Sequence, residues 1–352
     1  MLFQRFRSNP LLTPSDVQPT RSDLKVLCAL NPAAVRIGEE TILLVRVGEM
    51  AEPEKDYVTA VYFDPDDGQT KIRHIARTDP NLDVHHGDSR WYFYKGFMLL
   101  TSMSHLRIAR SRDGQHFTFD PQPFIFPATP YEAYGCEDAR ITAIEGRYLI
   151  AYTAVSSRGV TVAMAETADF RSVRRLGIIF PPYQKDVAIF PEKVRGRYVC
   201  RHRPFRSALN EAAIWTAYSP DLECWGRHDY TLGPVENSWQ ADRVGGGAAP
   251  LRTKEGWLDI YHGADRQGRY CLGAMLTDLE QPHRLISYSR QPVPEPTEPY
   301  EIAGVYGHCV FSNGLLEEPD GTLTVFYGAA DRVCAAAVTT VDRMVAAARN
   351  ER

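Results

Sequence analysis

Long apolar runs are missing from this 352-residue chain. No stretch approaches the ~18 apolar residues of a membrane-crossing helix, so no membrane partner is expected. The opening MLFQRFRSNPLLTPSDV carries basic residues but lacks the apolar core of a secretion signal. An excess of one charge is also missing. The net charge of −4 gives no basic footprint for nucleic acid or anionic lipid. The seven cysteines are an odd number with no CxxC pair, which argues against a disulfide framework or a zinc site. We read them as reduced thiols of a cytoplasmic protein. GxSxG, phosphate-loop and HExxH motifs are absent. Helix-period stripes are nearly absent outside the tail, 341–352, which reads as a short helix.

What is present is one unit, repeated. Five stretches line up: NPAAVRIGEETILLVRV (31–47), EDARITAIEGRYLIAYTAV (137–155), KDVAIFPEKVRGRYVCRHRP (185–204), GGGAAPLRTKEGWLDIYHGAD (245–265) and SNGLLEEPDGTLTVFYGAAD (312–331). Each opens with small or polar residues and continues as a short apolar strand. Each then turns at Gly38, Gly146, Gly196, Gly256 or Gly321 and closes with a strand of branched and aromatic residues, a hairpin signal. Four of them are followed by a second pattern of strand, Asp-containing turn and strand (106–120, 160–176, 212–228, 270–286). After the fifth, only VCAAAVTTVDRMV remains.

Four short strands recurring five times predict an all-β, five-bladed β-propeller with four-stranded antiparallel blades. A pair of β-sandwiches is the rival, and regular recurrence favours the propeller. The propeller domain is expected over 26–340, after an N-terminal extension (1–25) and with an insertion in the first blade, roughly 49–104. The insertion holds acidic loops and an aromatic piece, RWYFYKGF.

In a propeller the polar starts of the hairpins meet around a central funnel. The groups offered there are Asn31, Arg46, Glu137, Asp138, Arg140, Lys185, Asp186, Arg201, His202, Arg203, His262, Asp265, Asn313 and Asp331. Arg46, Lys185 and Arg203 suit a small oxyanion, because guanidinium forks and an ammonium match phosphate. Acids, amides and aromatics suit a sugar. One acid plus phosphate makes a glycoside phosphorylase that needs no base. An inverting hydrolase needs a second carboxylate ~6.5–9.5 Å from the first.

Plainer readings stand beside these. Asp138 is equally read as a turn residue, and Lys185 is better read as the partner of Asp186. Asp265 and Asp331 suit tight turns. Glu192 and Lys193 suit a mutual pair, and Glu211 reads as solvated. HHGD (85–88) hints at a metal, but adjacent histidines point apart on a strand.

With these residues assembled, the chain resembles glycoside hydrolase family 130, the β-mannoside phosphorylases and β-1,2-mannosidases, from NPLLTPSDV to YGAAD. The motifs carrying the resemblance are GCEDARIT, KDVAIFPEKVRGRYVCRHRP, GGGAAPLRT…GWLDIYHGAD and SNGLLEEPDGTLTVFYGAAD. The resemblance implies a five-bladed propeller and a single catalytic acid at Asp138, passing its proton through a mannose hydroxyl. It also implies sugar contacts at Asn31 and Asp331 and phosphate contacts at Arg46, Lys185 and Arg203. It implies no metal and no organic cofactor, with inorganic phosphate as co-substrate.

Two departures stand out. EDAR replaces the EDPR of many phosphorylases, and GGGAAP replaces Pro-rich sequence. The insertion with SMSHLRIARSRDG looks more like the mannosidase branch, while the three basic positions favour phosphorolysis. Glu137, Arg140, His262 and Asp265 join the expected substrate contacts. The expectation is inverting cleavage of β-manno-oligosaccharides by phosphate, releasing α-mannose 1-phosphate. The alternatives are a β-1,2-mannosidase, with Glu192 or Glu211 as base, and a non-catalytic sugar-binding propeller. Linkage, acceptor sugar and oligomeric state, homo-oligomer included, stay open.

Overall fold

The structure is a computed structural model that describes residues 2–83 and 88–351, and it is almost wholly β. The first repeated unit runs Leu24–Ile37, Glu40–Ala51, Ser102–Ser111 and Thr118–Phe119, each strand antiparallel to the next. The second runs Gly135–Ile144, Arg147–Ser156, Gly159–Thr167 and Arg174–Phe180 in the same manner. A single parallel pair, Gly135 with Ser104, joins them into one eight-stranded sheet. The third unit is Gln184–Ile189, Tyr198–Pro204, Ile214–Ser219 and Gly226–Leu232. The turn glycines at 38, 146, 196, 256 and 321 all have positive φ, from 57° to 141°, which is why the turns require them.

The fourth unit differs from the expected pattern. Its first strand is broken: Arg243–Gly245 and Leu251–Arg252 lie along the same neighbour, Trp257–Ala264, with no strand at 246–250. Glycines offer nothing to pack and Pro250 lacks an N–H. Tyr270–Thr277 and Leu285–Tyr288 complete the unit.

The fifth unit is Val310–Glu317, Thr322–Ala329 and Val333–Thr340. Its outer strand, Gln4–Arg5, comes from the other end of the chain. Arg5 fixes that strand by donating to both carboxylate oxygens of the fully buried Glu301, at 2.7 and 2.9 Å. Tyr327 Oη donates to the same carboxylate at 2.9 Å.

Apolar side chains fill the gaps between successive units. Ile42, Leu44, Ile150 and Ala163 pack between the first and second. Leu149, Met164, Ile189 and Cys200 pack between the second and third. Ile214, Val244 and Tyr261 follow, then Leu258, Leu276, Val310 and Val325. The last cluster, with Leu43, Val45, Phe326 and Ala336, lies between the fifth unit and the first. Successive units therefore pack against one another through apolar clusters, and the last packs back onto the first.

The insertion sits between the second and third strands of the first unit. It holds a hairpin, Tyr57–Asp64 with Gln69–Ala76, and three short strands, Leu82–Asp83, Trp91–Tyr94 and Phe97–Leu100. Residues 85–87 of the HHGD stretch lie outside the described residues. The tail forms the helix Val341–Arg349, capped by Thr340, whose side chain accepts from the Arg343 N–H. It buries Met344, Val345 and Ala348. Among the described residues no helix is long and apolar enough to cross a membrane. All seven cysteines are free, and only Cys224 is exposed.

Arg5→Ala leaves the buried Glu301 carboxylate short of its cation. It is expected to lower unfolding stability by roughly 2–3 kcal/mol, below the full cost of breaking a buried pair because Arg5 is partly exposed. An unchanged denaturation midpoint would contradict the closing role of Gln4–Arg5.

Candidate active site

The innermost strands are not regular at the ring's centre. In the first unit Leu30 pairs Arg46 and Ala33 pairs Leu44, so one extra residue is inserted. The same bulge lies between Glu137 and Arg140 in the second unit and between Lys185 and Ala188 in the third. Each bulge holds a residue with left-handed backbone: Asn31 (φ 49°), Asp138 (φ 49°) and Asp186 (φ 57°). Asn and Asp tolerate this region better than other residues with a Cβ. A bulge turns its side chain out of the pleat, so three polar groups reach the axis from three units.

These groups bond to one another. Asn31 Nδ2 donates to Asp138 Oδ1 at 2.8 Å. Arg46 donates from Nη1 to the same oxygen at 3.3 Å, from Nη2 to Glu137 Oε1 at 2.8 Å and from Nε to Ser104 Oγ at 3.1 Å. No group among the described residues bonds to Asp138 Oδ2. Asp186, wholly buried, accepts from Arg140 Nη2 at 3.1 Å and from Arg203 Nε at 2.6 Å. Arg140 also donates to the carbonyls of Asp138 at 2.9 Å, Gly246 at 2.9 Å and Gly247 at 3.3 Å.

Burial pushes the Asp138 carboxyl up, but the charge of Arg46, then Lys185 and Arg140, and the Asn31 bond hold it below the ordinary aspartate range. Its neighbour Glu137 is raised, by burial first and by the Asp138 charge against the pull of Arg46. Burial also lifts Asp331, to about 6, against the pull of Arg46; a third of that side chain is exposed. Asp186 is held well below the usual range, because Arg203, Arg140 and His262 outweigh its burial. His262 is lowered to about 4, chiefly by burial, and is therefore neutral near pH 7.

A cavity of about 330 Å³ opens over Asp138. Asn31, Arg46, Lys185, Arg203 and Asp331 line it. An adjoining cavity of about 260 Å³ shares Arg46, Lys185 and Asp331 and adds Glu137 and Phe205. The Lys185–Asp186 pairing does not form. Among the described residues no carboxylate lies within ion-pair distance of the Lys185 ammonium, which sits 5.8 Å from the Phe205 ring centre.

Other candidates lie elsewhere. Arg140 and His262 are buried behind the wall, His262 against the Phe311 ring at 4.2 Å. Arg201 is likewise internal, bonded through two nitrogens to Asp259 at 2.9 and 3.0 Å, and His202 bonds Gln184 and His228. Asn313 borders a separate apolar cavity. Asp265 holds its own turn, accepting from the N–H groups of Gln267 and Arg269, both at 3.0 Å. The two proposed bases miss the cavity. Glu192 is half exposed on a hairpin turn and pairs with Arg252, not Lys193; Lys193 pairs with Glu145. Glu211 accepts from Tyr230 Oη at 3.1 Å beside a different surface cavity.

Two cations were not anticipated. Arg90, from the insertion, lies 3.8 Å from Asp331 and 5.0 Å from the Tyr306 ring centre. Arg243 bonds Tyr270 Oη at 3.2 Å and Asp242 at 2.6 Å. Both line the larger cavity. The acid therefore shares a small space with five basic side chains, an arrangement suited to binding an anion beside a proton donor.

A family model described as beta-1,4-mannooligosaccharide phosphorylase matches residues 90–350. The beta-1,2-mannobiose phosphorylase of Listeria innocua is 40% identical over 336 residues, 94% of each chain. A solved structure of beta-1,2-mannobiose phosphorylase from Listeria innocua in complex with beta-1,2-mannobiose superposes with a TM-score of 0.95, at 38% identity across 100% of both chains. The 1,2-beta-oligomannan phosphorylase of a Thermoanaerobacter species is 37% identical over 239 residues, 67% of this chain and 78% of that one.

Arg46→Gln removes the strongest charge holding Asp138 ionised. The Asp138 carboxyl is expected to titrate higher in the variant than in the wild type, followed by carboxyl-carbon NMR and assigned with Asp138→Asn. An unshifted titration would show that Arg46 does not set its acidity.

Proposed function

The chain belongs to glycoside hydrolase family 130, and we propose that it cleaves β-mannosides by inverting phosphorolysis, releasing α-mannose 1-phosphate. The carrying observation is the shared cavity: Asp138 faces the same space as Lys185, and among the described residues Asp138 Oδ2 is unbonded and Lys185 has no carboxylate partner. Lys185 and Arg203 hold the phosphate, with Arg46 between phosphate and acid and Arg243 on the same wall. Asn31 and Asp331 hold sugar hydroxyls, and Glu137 borders the adjoining space. Arg140 and His262 act from behind, by fixing Asp138 and Asp186.

In the ligand-free protein the surrounding cations keep Asp138 ionised. A bound phosphate dianion offsets those cations, so Asp138 takes up a proton as the co-substrate arrives. The proton then moves to the glycosidic oxygen, directly or through a mannose hydroxyl. Phosphate attacks the anomeric carbon from the opposite face and needs no base. No resident metal or organic cofactor enters this scheme. The mannosidase alternative loses its two named bases, since Glu192 and Glu211 lie outside the cavity. The insertion does not favour it either, because the match to the Listeria innocua phosphorylase extends over 94% of the chain.

The ring of units is read as a five-bladed propeller, each blade four-stranded, with Gln4–Arg5 closing the fifth. Residues 26–340 then form the catalytic domain, 49–104 the insertion and 341–352 a helical tail. The free thiols suit a reducing cytoplasm.

The test is product analysis with β-1,2-mannobiose and β-1,4-mannosyl-glucose. Mannose 1-phosphate is expected only when phosphate is supplied; free mannose at one rate with or without phosphate would overturn the reading. Asp138→Asn is expected to slow turnover by on the order of 10²–10⁴ while sugar binding persists. Lys185→Ala is expected to raise KM for phosphate about tenfold or more, as loss of a charged hydrogen bond would. A wild type that binds mannosides and never turns over would instead support a sugar-binding module.

A further inference from the structure

We propose that one face of the small sheet in the insertion is a sugar-stacking platform, which binds mannosyl units beyond the pair flanking the cleaved bond. This rests on the mannoside reading above. The strands Trp91–Tyr94 and Phe97–Leu100 pair antiparallel, with Trp91 opposite Leu100 and Phe93 opposite Met98. Side chains alternate along a strand and directly opposed residues share a face. Trp91, Phe93, Met98 and Leu100 therefore share one face, and Tyr92, Tyr94, Phe97 and Leu99 share the other.

The two faces are covered differently at Tyr92 and Leu99, although Phe97 at the end of that second face is 67% exposed. Tyr92 and Leu99 are buried in a cluster with Val58, Ala60, Ile75 and Leu82, which anchors the sheet to the insertion's hairpin. The opposite face begins at the catalytic centre. Trp91, Met98 and Leu100 line the 260 Å³ cavity that also contains Arg46, Lys185 and Asp331. Arg90, one residue before Trp91, reaches Asp331 and Tyr306 and holds the strand against the site. The same face ends in water, where Phe93 is 39% and Met98 47% exposed. Trp91 and Phe93 lie edge to face, with centroids 5.3 Å apart.

This strip therefore runs outward from the cavity that Arg46, Glu137, Lys185 and Asp331 also line. A mannoside whose scissile bond lies at Asp138 has its continuing chain directed along it. Pyranose rings carry an apolar C–H face that packs on aromatic and methionine side chains. Their hydroxyls stay in water at the strip's exposed end. Continuity with the catalytic cavity points to the substrate chain itself as the occupant, and makes the insertion a determinant of chain length.

The test compares kcat/KM for β-1,2-linked mannobiose, mannotriose and mannotetraose in the wild type and in Phe93→Ala/Met98→Ala. In the wild type kcat/KM is expected to rise with chain length. In the variant the tetraose-to-biose ratio is expected to fall about tenfold, through KM. A ratio unchanged by the substitutions, or a wild type indifferent to chain length, overturns the proposal. Calorimetric binding of biose and tetraose to the Asp138→Asn protein, with and without the platform substitutions, separates the two claims. If the wild type phosphorolyses no mannoside, but tetraose still binds more tightly than biose and loses that advantage in the variant, the platform stands and the phosphorolytic reading fails. Sedimentation of the same proteins covers the other occupant. An oligomer that dissociates on Phe93→Ala/Met98→Ala, with the chain-length ratio unchanged, would make the strip an interface between copies and overturn the platform.

Discussion

The site depends on a carboxylate that never meets water. Asp186 sits in the third unit's bulge and is bonded by Arg140 from the second unit and Arg203 from its own. Arg140 then reaches the carbonyl of Asp138 and the carbonyls of Gly246 and Gly247 in the fourth unit. One buried anion therefore ties three units together at the axis, and it fixes the backbone that presents the acid. Breaking such a pair from one side leaves an uncompensated buried charge, which costs several kcal/mol. The glycine run answers the same constraint. A Cβ at Gly245 would collide with His262 and the Asp186 carboxylate, and one at Gly247 with the Ile260 carbonyl. Gly245 is thus the space the ion cluster occupies, and Gly247 the space a neighbouring backbone occupies.

From that frame the charge pattern acquires a direction. The cations near the acid are not equivalent. Arg203 is held by Asp186, and Arg46 by Glu137 and Asp138, while Lys185 has no carboxylate within ion-pair reach among the described residues. Arg46 was expected only as a phosphate ligand. It bonds Glu137, Asp138 and Ser104 together, and in the proposed scheme it is the group through which phosphate and acid sense one another. In the proposed scheme phosphate drawing on Arg46 weakens its hold on Asp138, and a weaker hold raises the pKa of that carboxyl toward that of a proton donor. In this account, binding of the nucleophile arms the acid.

The sequence reveals these features unequally, for physical reasons. Gly turns followed by branched and aromatic strands mark repeats because turn chemistry and strand chemistry are local. That signal exposed the recurrent hairpins and put Asn31, Asp138, Lys185 and Asp331 at their mouths. Gln4–Arg5 reads as an extension because a two-residue strand has no periodicity. The bulges left no mark beyond an Asn or Asp at the right place, so Asp186 passed for the partner of Lys185 when it serves two arginines. Arg243 fell just outside the fourth hairpin as delimited, and Arg90 lay within an insertion whose docking is a tertiary matter. Asp265, Glu192 and Glu211 show the reverse error. A polar residue beside a strand end looks the same whether the chain turns it toward the axis or out to water.

The most direct test of the account is calorimetric titration of the ligand-free protein with inorganic phosphate at fixed ionic strength. Saturable binding at one site per chain is expected, weakened at least tenfold by Lys185→Ala, as loss of a charged contact requires. Absence of saturable phosphate binding, with undiminished release of free mannose from β-mannosides, would contradict it.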